Sequence, residues 1–85
     1  MFYTYILKSE KDKKFYVGST NNLRRRFREY NVGKVPAAKK RTPLKLVYYE
    51  FCIDKTDVRK RERYLKTSCW GKRYIKSRLK SYLTG

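Results

Sequence analysis

The sequence contains no histidine, two cysteines and only seven acidic residues among 85 positions. Without histidine, the chain has no zinc finger built on Cys and His, no serine–histidine triad and no histidine general base. Cys52 and Cys69 stand far apart and beside no other metal-ligating residue, which argues against a disulfide framework or a zinc site. Because isolated thiols are typical of a reducing compartment, we expect a cytoplasmic protein.

Long hydrophobic runs are also missing. No apolar stretch approaches the ~20 residues that a membrane-spanning helix requires. Met1 leads directly into the apolar residues 2–7 without a basic segment or a small-residue cleavage site, so we expect neither a membrane anchor nor a signal peptide. Repeats, linkers and low-complexity segments are absent as well, and residues 1–85 are predicted to form one domain.

What the sequence does have is positive charge and aromatic rings. It carries 24 Lys and Arg against 7 Asp and Glu, for a net charge of +17. Positive charges at this density repel one another and favour a polyanionic partner. Nucleic acid is the first candidate, and an acidic membrane surface or an acidic protein is the second. Nine Tyr, four Phe and one Trp indicate a folded domain rather than a disordered basic tail.

The hydrophobic pattern predicts an α/β (α+β) fold with the element order β-β-α-β-α-α. Strands are predicted at residues 2–7, 15–18 and 44–53. The first strand is an almost unbroken apolar run, which is typical of a strand covered on both faces, and it forms a hairpin with the second. We therefore expect a small, mainly antiparallel three-stranded sheet flanked by three helices.

The helices are predicted from apolar residues at three- and four-residue spacing. The first helix starts after the capping residues 19–22, and the basic segment 34–43 is predicted to be a loop. The second helix is predicted to be capped by Asp54 or Thr56, and a break at residues 68–71 separates it from the third. The residues predicted to face inward are Leu23, Phe27, Tyr30, Val58, Tyr64, Leu65, Ile75, Leu79 and Tyr82.

Two charged residues interrupt these apolar faces. Arg26 lies at the edge of the first inward face, and Glu62 stands between Val58 and Leu65 on the inward face of the second helix. A carboxylate there is unfavourable unless it is paired, bound to a metal or open to a cleft. Two interpretations are therefore open. In the first, the two residues form a structural ion pair or simply extend to solvent. In the second, they form a site in which the arginine holds phosphate and the glutamate holds a metal ion.

Short motifs stand in a fixed order along the chain. Residues 3–5 read Tyr-Thr-Tyr and residues 16–18 read Tyr-Val-Gly, with an arginine-rich helix after them and an acid in a later basic helix. The set is Tyr5, Tyr16, Gly18, Arg26, Tyr30 and Glu62. Over essentially the whole chain it resembles the GIY-YIG nuclease superfamily, in particular the small stand-alone members related to the N-terminal domain found in excinuclease.

The resemblance implies a metal-dependent endonuclease that hydrolyses DNA phosphodiester bonds, with a role in DNA repair or recombination. It implies one divalent cation, Mg²⁺ or Mn²⁺, bound by Glu62 with water as most of the other ligands. A two-metal site is not expected, because such sites use several acids to hold both ions.

The resemblance also implies roles for the other residues of the set. Tyr16 would take a proton from water, alone or in a network with Tyr5, and nearby arginines and the metal would lower its pKa. Arg26 would hold the scissile phosphate, because its planar guanidinium suits two phosphate oxygens. Tyr30 would orient the phosphate or the water, and Gly18 would allow close packing where strand becomes helix.

The remaining cations are expected to contact backbone phosphates, which gives affinity without reading sequence. We predict this role for Arg25, Lys39, Lys40, Arg41, Lys72 and Arg73. Two other functions remain open: a non-catalytic nucleic-acid-binding module, and a nuclease subunit that is active only in a larger complex. The expected partners are nucleic acid, with DNA first, and a protein scaffold or recognition subunit.

Overall fold

Three strands form one antiparallel sheet in the computed structural model, which describes residues 1–67 and 69–80. β1 (Phe2–Ser9) lies between β2 (Phe15–Thr20) and β3 (Leu44–Cys52). Both neighbours run antiparallel to β1, as predicted. Because β1 is central and covered on both faces, its middle is buried, which accounts for its apolar sequence.

The first helix, α1 (Leu23–Asn31), packs on one face of this sheet. Its N-cap is Asn22, whose side-chain oxygen accepts a hydrogen bond from the backbone N–H of Arg25 at 3.0 Å. The chain leaves the helix at Gly33, where φ is +83° and a side chain would be strained. Tyr30 is buried against the sheet, which confirms the inward face predicted for it.

Two further helices, α2 (Lys55–Thr67) and α3 (Cys69–Arg78), cover the opposite face. Their apolar residues pack against Ile6 of β1 and its neighbours. The prediction of an inward face is confirmed for Val58, Leu65, Ile75 and Leu79. The element order β-β-α-β-α-α and the α+β class are confirmed as well.

The segment between α1 and β3 is more ordered than the sequence predicts. Residues 34–43 contain a 3-10 helix (Pro36–Arg41) in place of a plain loop. Pro36 presets the backbone angle of the first helical position, and the buried Ala38 anchors the turn in the core. Ser9 of β1 adds a further anchor, since its hydroxyl donates a hydrogen bond to the carbonyl of Arg41 at 2.6 Å.

Two details of α2 and α3 differ from the prediction. Tyr64 is 38% exposed, because it lies about 100° around the helix from the buried Leu65. It contacts the guanidinium of Arg61, 5.4 Å from its ring centroid. α3 begins at Cys69, inside the predicted break, and Tyr82 lies outside the described residues.

None of the helices in residues 1–67 and 69–80 has the length and apolar content needed to cross a membrane. Cys52 is a half-buried free thiol at the end of β3.

Candidate active site

Tyr5, Gly18 and Tyr30 form a close-packed group between β1, β2 and α1. Tyr5 pairs directly with Gly18 across the two strands, and its ring fills the space above the glycine. A Cβ at position 18 would overlap the Tyr5 hydroxyl, so this position requires glycine. The Tyr5 hydroxyl donates a hydrogen bond to the Tyr30 hydroxyl at 3.2 Å, with the two rings nearly perpendicular at 79°.

Arg26 is held at the edge of this group. Its Nε donates a hydrogen bond to the Tyr5 hydroxyl at 3.4 Å, and one terminal nitrogen donates to Glu29 at 3.2 Å. Its guanidinium carbon lies 5.2 Å from the centroid of the Tyr30 ring. The hydrogen bonds to Tyr5 and Glu29 raise the pKa of Arg26, so the side chain is a permanent cation with 39% of its surface exposed.

Tyr5 is suited to donate a proton in a hydrogen bond rather than to act as a base. Burial, and then the hydrogen bond that it gives to Tyr30, raise its pKa above the ordinary tyrosine value. The positive charge of Arg26 opposes this shift without overcoming it. Tyr5 therefore stays protonated at neutral pH and orients its two neighbours.

Tyr16 lies on the edge strand β2, half-buried, and its surroundings differ from those expected. Burial raises its pKa, and the Asp12 carboxylate raises it further, while Arg41 has the opposite effect. Arg41 thus lowers the pKa of Tyr16 in the expected direction, but burial outweighs it and the net shift is upward. Asp12 opposes the effect of Arg41, with which it forms an ion pair at 2.5 Å.

Glu62 approaches β2 from the opposite face of the sheet. Its carboxylate accepts a hydrogen bond from the hydroxyl of Ser19 at 2.5 Å. Ser19 follows Gly18 on the strand, and successive side chains point to opposite faces. Arg26 and Glu62 therefore border the same edge strand from its two sides.

The ion pair between Arg26 and Glu62 that the sequence also allowed does not form. The carboxylate that contacts Arg26 is Glu29, which lies on the same helix. Glu62 is instead half-buried beside the hydroxyl of Ser19. The helical periodicity correctly predicted that Glu62 faces the sheet. Its partner there is Ser19 of β2, however, and not Arg26 of α1.

A metal site with several protein ligands is not present among the described residues, since they contain no group of three His, Cys, Asp or Glu side chains. A single carboxylate suits Mg²⁺ or Mn²⁺, which accept water as most of their ligands. It does not suit a structural Zn²⁺, which takes about four nitrogen or sulfur ligands. The donors around Glu62 therefore fit a hydrated, hard divalent cation.

A cavity of about 490 Å³ runs along the outer edge of β2. Tyr16 and Tyr30 line it on the α1 side, and Leu65 and Lys66 line it on the α2 side. Glu62 precedes Lys66 by one helical turn, and the guanidinium of Arg26 lies against Tyr30. Neither Arg26 nor Glu62 lines the cavity, but each lies beside a residue that does.

The cations predicted to contact phosphate fall into different environments. Arg25, Lys39, Lys40 and Arg73 have exposed side chains, as that role requires. Arg41 is instead paired with Asp12 beside Tyr16. The side chain of Lys72 lies outside the described part of the structure.

Sequence reasoning missed Ser19 and Asp12, the two residues that contact the expected site from within the hairpin. Ser19 had a usable signal, because it follows Gly18 and must point to the face opposite Tyr5. Asp12 had none, since its partner Arg41 lies 29 residues away along the chain.

The model of the GIY-YIG catalytic domain matches residues 1–69 of the chain. The chain belongs to the GIY-YIG family. This is a family of nucleases that act on DNA and generally use a divalent metal ion. The match covers β1, β2, α1, β3 and α2, which carry Tyr5, Tyr16, Gly18, Arg26, Tyr30 and Glu62.

Small GIY-YIG relatives resemble the chain over most of its length. A UPF0213 protein of Clostridium perfringens is 45% identical over 67 residues, which cover 78% of this chain and 71% of the relative. A UPF0213 protein of Limosilactobacillus reuteri is 43% identical over 76% of this chain and 70% of its own length. One of Syntrophus aciditrophicus is 42% identical over 75% of each chain. No solved structure matches the chain.

Proposed function

We propose that the chain is a divalent-metal-dependent endonuclease that hydrolyses DNA phosphodiester bonds, with a role in DNA repair or recombination. The proposal rests on the position of Arg26 and Glu62 on either side of strand β2, which also carries Tyr16. Membership of the GIY-YIG family supports the reaction type, and the net charge of +17 supports a polyanionic substrate.

Arg26 binds the scissile phosphate in this proposal. Tyr5 and Glu29 fix its guanidinium through two hydrogen bonds, so it needs little reorganisation to receive an anion. Its guanidinium carbon lies 5.2 Å from the centroid of the Tyr30 ring, and Tyr30 lines the cavity. Tyr30 accepts a hydrogen bond from the Tyr5 hydroxyl, so its own hydroxyl hydrogen is available to a phosphate oxygen or to water.

Tyr16 takes the proton from the attacking water. With the pKa raised, only a small fraction of Tyr16 is phenolate at neutral pH, so the fraction that can act as a base rises with pH. Removing the charge of Asp12 would lower this pKa, because Asp12 raises it and Arg41 would then act on the phenolate without a competing anion.

Glu62 would hold Mg²⁺ or Mn²⁺ through its carboxylate, one oxygen of which is oriented by Ser19. When bound there, such an ion supplies Lewis-acid stabilisation of the negative charge that develops on the leaving 3′ oxygen. The half-buried position of Glu62 keeps the carboxylate next to β2, where Ser19 contacts it.

The test is cleavage by the purified chain of matched duplex, single-stranded and branched DNA with Mg²⁺, Mn²⁺ or EDTA. The proposal predicts cleavage of at least one substrate with metal and none with EDTA. Binding without cleavage of any substrate would favour a non-catalytic nucleic-acid-binding module. Cleavage that appears only when a partner protein is added would identify a subunit of a larger complex, with that protein as its scaffold or recognition subunit.

A further inference from the structure

The cavity along β2 has a lining that backbone-phosphate binding does not require. Its walls are mostly apolar, with Leu65 and Ile75 among them, and two tyrosine rings border it. At about 490 Å³ it is within the ~300–1,000 Å³ range of sites that enclose small organic groups. Backbone phosphates alone would be better served by a shallow, polar groove.

Two cations stand at the same cavity. Lys66 of α2 and Lys76 of α3 both line it, and both side chains are exposed. The cavity therefore offers an apolar interior with flanking ammonium groups. That combination matches a nucleotide, whose flat base is largely apolar on its faces and whose phosphates are anionic.

The cavity also lies next to the residue that we assign to the scissile phosphate. Tyr30 borders the cavity, and the guanidinium of Arg26 is 5.2 Å from its ring centroid. A phosphate on Arg26 and a base in the cavity are thus within the reach of one nucleotide. In an intact duplex the base is stacked and paired, so only an unpaired or extruded base enters such a cavity.

We infer that this cavity receives one unpaired nucleobase of the substrate, beside the phosphate held by Arg26. Lys66 and Lys76 contact the phosphates that flank that base. The inference rests on the proposed function, because it takes the position of the phosphate from it. It adds a preference for DNA that carries an unpaired base near the cleavage point.

The test compares three DNA ligands in EDTA, where no cleavage occurs. The first is a fully paired duplex, the second has one unpaired nucleotide, and the third has an unpaired abasic nucleotide at the same place. We expect the base-bearing bulge to bind at least about tenfold more tightly than the abasic bulge, as befits burial and stacking of one base.

A cavity-filling substitution links this preference to the cavity. Ala37 is exposed on the 3-10 helix and lines the cavity, so Ala37→Trp fills it without burying new groups in the core. We expect Ala37→Trp to bind both bulges equally, and the smaller Ala37→Phe to lose most of the difference. The matched control is Val32→Trp, because Val32 is 61% exposed and outside the cavity lining. It should keep the full preference.

Equal affinity of the native chain for both bulges would overturn the inference, as would an undiminished preference in both Ala37 variants. The result is separable from the proposed function. Metal-dependent cleavage without base preference contradicts the cavity inference alone. Base preference in EDTA without cleavage under any metal condition supports the cavity inference and contradicts the nuclease.

Discussion

The ring and hydroxyl of Tyr5 occupy the space that a side chain at position 18 would need, so Gly18 sets the distance between β2 and the Tyr5 side chain. The same Tyr5 hydroxyl contacts both Tyr30 and Arg26. The glycine of the Tyr-Val-Gly motif therefore acts on the site through packing, because it fixes the residue that orients the arginine.

Substituting Gly18 with alanine should destabilise the fold. The added methyl overlaps the end of the Tyr5 ring, and overpacking of this kind costs about 1–3 kcal/mol. For a domain of this size that lowers Tm by about 4–8 °C per kcal/mol. Thermal melting measures the effect.

Repeating Gly18→Ala in a Tyr5→Leu variant shows whether the Tyr5 ring causes the loss of stability. In Tyr5→Leu the ring is gone, so Gly18→Ala should cost much less there. Gly33→Ala serves as the control, since its penalty comes from φ +83° and not from Tyr5. Its cost should be the same in both backgrounds. An equal cost of Gly18→Ala in both would contradict this account.

Binding to DNA should be steeply salt-dependent and largely independent of sequence. The net charge of +17 predicts that the logarithm of the affinity falls linearly with the logarithm of salt concentration. Arg25→Ala should reduce the slope by about 1, since its exposed side chain is expected to contact one phosphate. Titrations at several salt concentrations measure both, and a flat response would contradict phosphate binding.

The cleavage rate should rise with pH if Tyr16 is the base. Burial and Asp12 raise its pKa, so around neutral pH the phenolate fraction grows about tenfold per pH unit. Asp12→Asn removes a charge that raises this pKa and frees Arg41, which lowers it, so the profile should shift to lower pH. A pH–rate profile of Asp12→Asn that coincides with the native one would exclude this control of Tyr16.

Much of the fold could be read from local patterns. The apolar run of β1 marks a central strand, and the inward stripes of the helices locate both sheet faces. Arg26 and Glu62 stood out because each interrupts such a stripe, and periodicity specifies direction well. Successive strand residues point to opposite faces, so Gly18 and Ser19 face different sides of the sheet. Arg26 approaches β2 on the Gly18 side, and Glu62 approaches it on the Ser19 side.

The rest depends on contacts between segments distant in sequence. The pairing of Asp12 with Arg41 joins the hairpin turn to the 3-10 helix, and no local pattern encodes it. The upward shift in the pKa of Tyr16 follows from burial first and then from Asp12, against the opposing effect of Arg41, so it could not be predicted either. Tyr64 was misplaced because its neighbour Leu65 determines the orientation of the helix.

The central claim is that Glu62 serves metal-dependent catalysis and is not needed for the fold. Glu62→Gln keeps a carbonyl oxygen that can accept the hydrogen bond from Ser19, but it removes the charge that attracts a divalent ion. In EDTA its Tm should therefore equal or exceed that of the native chain. A loss of several kcal/mol would indicate a structural partner instead, on the scale of a broken buried pair of ~3–5 kcal/mol.

The most direct test measures cleavage by Glu62→Gln in Mg²⁺ or Mn²⁺, together with DNA binding in EDTA. Glu10→Gln is the control, because it makes the same charge change at an exposed residue of the hairpin, where the carboxylate pairs with Lys13. The account predicts that Glu62→Gln binds DNA at least as tightly as the native chain and cleaves it ~10²-fold or more slowly, while Glu10→Gln cleaves normally. Metal-dependent cleavage by Glu62→Gln at the native rate would contradict it.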